Sequence, residues 1–140
     1  MKHFITIFLL SISLSSFSQE VKTLQNSLSK AKEEHKKVVF FFSGSDWCSP
    51  CVKFKRNYID SEEFTAFASS NLIVFNADFP RKKTNALSKE QTAENEKLAE
   101  KYNPNGQFPL IILFDENGKI VTKWEELPNE TVAEFIAKLK

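Results

Sequence analysis

Three short apolar runs constrain this chain more than any other feature: Val38–Phe42 (VVFFF), Leu72–Asp78 (LIVFNAD) and Leu110–Phe114 (LIILF). Each has strand length, and the continuous apolar sequence of the first and third, and of Leu72–Phe75 in the second, is what a strand covered on both faces requires. A sheet covered on both faces needs helices on both sides, and the intervening sequence supplies them. Val21, Leu24, Leu28 and Ala31 recur at helical spacing within residues 20–36. Val52, Phe54 and Tyr58 mark a helix from Cys51 to Tyr58, and Ser61 caps a further one, Glu62 to Ser69, with Phe64 and Phe67 inward. Ser88 and Gln91 suit a capping box for a helix from Glu90 to Tyr102. After the third run, Asp115 to Gly118 reads as a turn into a fourth strand, Lys119 to Trp124. Asn129 is expected to cap a last helix whose Val132, Phe135, Ile136 and Leu139 share one face. The expected fold is an α/β sandwich around a four-stranded mixed sheet, with three parallel-type strands and a C-terminal antiparallel hairpin strand.

The first residues stand apart from this pattern. Lys2 precedes an apolar run from Phe4 to Leu14, and Ser16-Phe17-Ser18 places small residues at the cleavage-determining positions. This is the pattern of a secretory signal peptide over residues 1–18, leaving one domain over residues 19–140. The run falls short of the roughly 20 apolar residues that span a bilayer, so no stable membrane insertion is expected after cleavage. Without Lys2, 18 basic residues face 18 acidic ones. That balance gives no electrostatic basis for binding nucleic acid. Export would place the protein outside the cytosol, with the periplasm as the expected compartment, where a disulfide persists.

The chain has two cysteines, Cys48 and Cys51, within SDWCSPC. A structural zinc needs four ligands, and beyond the signal segment only His35 could join the cysteines as a nitrogen ligand, so no metal is expected. Covalent haem attachment would need histidine after the second cysteine, where Val52 stands. A purely structural staple across so short a loop removes little unfolded-chain entropy. The redox reading has the context it needs, because the pair follows a buried strand and opens a helix. Cys48 then sits where unpaired N–H groups and the helix dipole favour a thiolate, and Pro50 fits a first helical turn. Cys48 is the expected nucleophile. Cys51, one turn on, is expected to be the more buried, resolving thiol that closes the Cys48–Cys51 disulfide. No cofactor is expected.

WCSPC after an apolar strand resembles the thioredoxin active site, usually WCGPC, and FPLIILFDENGKIV resembles that family's cis-proline, strand, glycine turn and strand. The resemblance covers essentially all of residues 19–140. It implies a thioredoxin-like fold with Pro109 as the cis-proline facing the cysteines. It also implies that the backbone of Phe108 pairs with a bound client like an added strand, and that Trp47 offers an apolar docking surface. Ser49 and Pro50 complete the expected client-binding set. Three departures stand out. Phe42 occupies the position of the family's buried aspartate, six residues before the first cysteine. Arg56 replaces its helix-kinking proline, and residues 79–90 form a longer, more polar segment. Asp46 is expected to lie solvated in the loop, its charge opposing a thiolate.

These features point to an exported, monomeric thiol–disulfide oxidoreductase, reducing or isomerising client disulfides rather than oxidising them, because Ser-Pro stays close to the reductant pattern. Its partners would be client proteins with disulfides or thiols, and an upstream redox protein that recharges the pair. Two alternatives remain open: a binding module with an inert disulfide, and a dedicated electron carrier to one partner. Asn129-Glu130-Thr131 matches a glycosylation acceptor, but a helix cap suffices to explain it.

Overall fold

The computed structural model describes residues 20–140. The signal-peptide reading of residues 1–18 lies outside the described residues. The elements follow the order α1 (Leu24–Glu34), β1 (Lys37–Ser43), α2 (Ser49–Phe54), a π-helical turn (Lys55–Ile59) and α3 (Glu62–Asn71). Then come β2 (Leu72–Asp78), a 3-10 turn (Lys83–Asn85), α4 (Lys89–Tyr102), β3 (Leu110–Phe114), β4 (Ile120–Trp124) and α5 (Val132–Leu139).

The four strands form one sheet in the order β2-β1-β3-β4. Successive side chains of a strand face opposite sides, so the runs in β1 and β3 feed two cores. Contrary to expectation β2, at the sheet edge, is not covered on both faces: Phe75 and Ala77 are buried but Val74 and Asn76 are exposed. Phe40, Phe42, Leu110, Ile112 and Phe114 pack with Leu24 and Ala31 of α1 and Leu98 of α4. Val39, Phe41, Ile111 and Leu113 pack on the other face with Phe54, Tyr58, Phe64, Phe135 and Leu139. Phe135 is fully buried and meets Phe54, Tyr58 and Phe64 at centroid distances of 5.8, 5.2 and 6.3 Å. Burying a side chain of this kind stabilises the fold by roughly 1.5–3 kcal/mol.

The sheet is mixed, as expected, but its middle differs from the expected arrangement. β1 pairs parallel with β2, whereas β3 runs antiparallel to β1. The reason lies in where the chain leaves and rejoins the sheet. Asp78, the last residue of β2, is level with Ser43, and Leu110, the first of β3, is level with Phe42. Residues 79–109 therefore return to the end they left, and the next strand must run back down. Alternation of strand and helix counts elements but does not say at which end a helix delivers the chain.

Two caps also differ from expectation, each because another bond wins. Ser88 accepts from Gln91 N, but the Gln91 side chain does not return to Ser88. Its Oε1 accepts from Lys22 N at 2.8 Å and its Nε2 donates to Lys22 O at 2.9 Å. Those bonds hold residue 22 ahead of α1, which starts at Leu24 behind its cap Thr23 rather than at residue 20. At the last helix Thr131, not Asn129, is the cap, because Thr131 and Glu134 form a reciprocal capping box. His35 ends α1 at φ 53° and its Nδ1 lies 3.1 Å from a Glu116 carboxylate oxygen.

Candidate active site

The end of β1 is tied to the end of β2. The Ser43 hydroxyl reaches Asn76 Oδ1 at 2.8 Å and Asp78 Oδ1 at 3.0 Å, and Asp78 accepts from Ser45 N and Oγ at 2.8 and 2.6 Å. The chain turns there through Gly44, whose carbonyl accepts from Cys48 N at 2.9 Å. This turn delivers Cys48 to the N-cap of α2 in extended conformation, with Pro50 in the first helical turn. Cys48 and Cys51 form a disulfide with Cα atoms 5.3 Å apart. The backbone N–H of Cys51 points at Cys48 Sγ, 3.2 Å away. Both sulfurs are shielded, at 4% and 2% residue exposure, so Cys51 is the more buried by a narrow margin only. Ser49 and Pro50 between them are exposed.

The opposite wall comes from the loop before β3. The Phe108–Pro109 peptide bond is cis, and Phe108 O lies 3.6 Å from Cys48 Sγ. The N–H of Phe108 has no hydrogen-bond partner among the described residues. Buried Asn103 shapes this loop, donating from Nδ2 to Gln107 O and accepting from Gln107 N on Oδ1, both at 2.8 Å. Sequence reasoning passed over Asn103. The signal was a lone amide at the end of a helix, ahead of a Pro-Asn-Gly loop.

Trp47 stands half-buried between the two walls. Its ring centroid is 5.2 Å from that of Phe108, and its Nε1 donates to Phe79 O at 2.7 Å. The guanidinium of Arg81 also lies over the ring, 3.9 Å from the centroid. A Cβ built on Gly44 would come within 2.2 Å of the indole, so glycine is required here for close approach rather than for an unusual φ. Gly44→Ala is therefore expected to expel the indole, shift tryptophan emission and cost about 1–3 kcal/mol of stability. Thermal melting with fluorescence checks this; unchanged melting and emission would mean the ring has room to spare.

Asp46 is not free in solvent, contrary to the sequence expectation. Its carboxylate accepts from Arg81 N, Lys82 N and Asn85 Nδ2, each at 2.9 Å. The Arg81 N–H, with those of Lys82 and Asn85, holds the Asp46 carboxyl below its ordinary value, against an opposing desolvation effect. A depressed carboxyl stabilises the fold above its unfolded pKa of about 3.9, and this is lost as pH falls through the lower folded value. Acid is thus expected to release residues 80–85, seen as a change in Trp47 emission on titration below that pH. Asp46→Asn, whose Nδ2 cannot accept, should abolish the step; an identical titration in the variant would contradict the latch.

Phe42 is buried without exposure beside Phe40 and Phe79, at centroid distances of 4.7 and 6.3 Å. Where the family has its kinking proline, Arg56 falls within the π-helical turn, closed by Asp60 N donating to Lys55 O at 2.8 Å. π-turns are themselves sites of helix bending. Behind Cys51 this turn and β2 enclose a cavity of about 220 Å³ lined by Ser43, Lys55, Asp60 and Asn76 among others.

A parallel strand pair extended by an antiparallel hairpin, with a CxxC disulfide facing a cis-proline loop, defines a thioredoxin-type fold. The chain belongs to the thioredoxin-like family, whose thioredoxin-like domain model matches residues 24–140. It is 34% identical over 114 residues to the disulfide bond reductase DsbH of Chlamydia pneumoniae, covering 81% of this chain and 66% of that protein. It is 26% identical over 107 residues to the thioredoxin-related protein DsbJ of the same organism, covering 76% of this chain and 30% of that one. A solved DsbH oxidoreductase structure superposes with a TM-score of 0.73 at 27% identity, covering 97% of this chain and 92% of that one.

Proposed function

We propose that this chain is a thiol–disulfide oxidoreductase that passes two electrons from the Cys48–Cys51 dithiol to client disulfides outside the cytosol. The observation that carries this reading is the Cys48 sulfur at the start of α2. Cys51 N–H is aimed at it, and the Phe108 carbonyl stands across the cleft at 3.6 Å. In the reduced protein, Cys48 thiolate attacks one client sulfur. A Cys48–client disulfide forms, and the second client sulfur leaves as a thiolate that takes up a proton. Cys51 then loses its proton and attacks Cys48 Sγ, releasing the first client sulfur and closing the 48–51 disulfide. The client gains two electrons, and a dithiol donor must restore the pair.

Trp47, Ser49, Pro50, Phe108 and Pro109 form the client surface in this reading. The Phe108 N–H, without a partner among the described residues, supports it, since an extended client can add to that backbone as a strand. Reduction as the direction is supported by the relative named a disulfide bond reductase. Export rests on residues 1–18; no described helix is long and apolar enough to cross a membrane. Mass analysis of the mature protein should find Gln19 at its start.

Turnover tests the activity. With excess dithiothreitol as donor, catalytic amounts of the chain should accelerate reduction of a protein disulfide well above the dithiothreitol rate. Equal rates with and without the folded chain would contradict the proposal.

A further inference from the structure

Between Phe79 and Ser88 the chain carries three cations, Arg81, Lys82 and Lys83, and no acid. This segment is fastened to the site, through the Asp46 latch at one point and the Trp47–Phe79 bond at another. All three cationic residues are exposed, and among the described residues none of them forms an ion pair. Asp46 and Asp78, at the segment and its base, are ionic acceptors of N–H and hydroxyl donors, and Glu96 and Glu100 line a surface hollow with Phe79. The exposed charges carried by the segment itself are all positive. The excess is local, because the basic and acidic residues of the chain nearly balance.

We propose that residues 80–85 are a selectivity element that favours partners carrying Asp or Glu beside the reacting disulfide; this rests on the exchange activity proposed above. Arg81 is the pivot. Its Cζ lies 3.9 Å from the Trp47 ring centroid and the residue is exposed, so its N–H donors can receive a carboxylate in pairs. Lys82 and Lys83 add longer-range attraction, which acts mainly on encounter rate and weakens with salt.

Three synthetic peptides test this. They share one intramolecular disulfide and differ only in flanking residues: Asp/Glu, Ser/Ala or Lys/Arg. Their reduction by the pre-reduced full domain is followed by acid quench and mass spectrometry. At low salt the acidic peptide should react about tenfold faster than the basic one, and the ratio should shrink as salt rises. Charge reversal by Arg81→Glu, Lys82→Glu and Lys83→Glu together should bring the ratio to one or invert it. A wild-type ratio within twofold, or a ratio unchanged by the reversal, overturns the proposal while leaving exchange intact. No exchange with any of the three overturns both the activity and the selectivity built on it. Because the reversal leaves Asp46 in place and alters only exposed side chains, circular dichroism should report an unchanged fold.

Discussion

Cys51→Ser is expected to turn the site into a trap. Attack by Cys48 needs only its own sulfur, the Cys51 N–H and access past Phe108, and all three survive the substitution. Release needs a second sulfur within bonding reach of the first, and only Cys51 supplies it. The variant should therefore accumulate a covalent client adduct through Cys48, visible by intact mass and lost on reduction, while turnover collapses. Cys48→Ser should form no such adduct and slow exchange by at least about 10³-fold, since it removes the nucleophile itself. The asymmetry between the two variants is the signature, because an inert staple would treat both alike. Adducts through Cys51 in the Cys48→Ser variant, at rates equal to the reverse case, would contradict the assignment of roles.

Phe42→Asp should be the most damaging single change away from the sulfurs. The substitution restores the family's acid at this position but sets it among Phe40, Phe79 and Leu110, with no donor provided by that cluster. Losing the ring alone costs about 3–5 kcal/mol, and a desolvated carboxyl adds to this, for a total above about 5 kcal/mol. That rivals the whole stability of many domains, roughly 5–15 kcal/mol. Burial would raise the carboxyl's folded pKa above its unfolded value of about 3.9. The variant is therefore least destabilised below that pH and loses stability as pH rises through the raised folded value. Denaturant midpoints in acid and at neutrality check the sign. Phe42→Leu, which keeps the cluster apolar, should cost only about 1 kcal/mol and retain exchange. If Phe42→Asp came within about 1 kcal/mol of the parent at neutrality, the site would have to be able to hold the acid.

The strands and the sulfur pair were legible because each is written locally. Phe40 and Phe41 must be covered on opposite faces whatever the rest of the chain does, and a CxxC after such a strand opens a helix by spacing alone. Pro109 was readable as the cis-proline through resemblance, and Phe108–Pro109 is cis. What escaped depends on where distant segments land. The direction of β3 is set by the return path of residues 79–109. Asp46 looked solvated because its partners, Arg81, Lys82 and Asn85, lie far along the chain. Phe79 and Arg81 read as part of a polar excursion, although both are built around Trp47. Nothing in the local sequence marks Gly44 as irreplaceable, and only the packed indole shows why nothing larger fits.

The most direct check is the reduction potential of the Cys48–Cys51 pair, measured by equilibrating the folded domain in graded thiol–disulfide buffers and counting free thiols by mass. A working exchange pair should titrate reversibly as a two-electron couple between about −120 and −270 mV, with the domain folded at both ends. A pair that stays oxidised until below about −300 mV, the range of structural disulfides, or whose reduction unfolds the domain, would contradict a redox role.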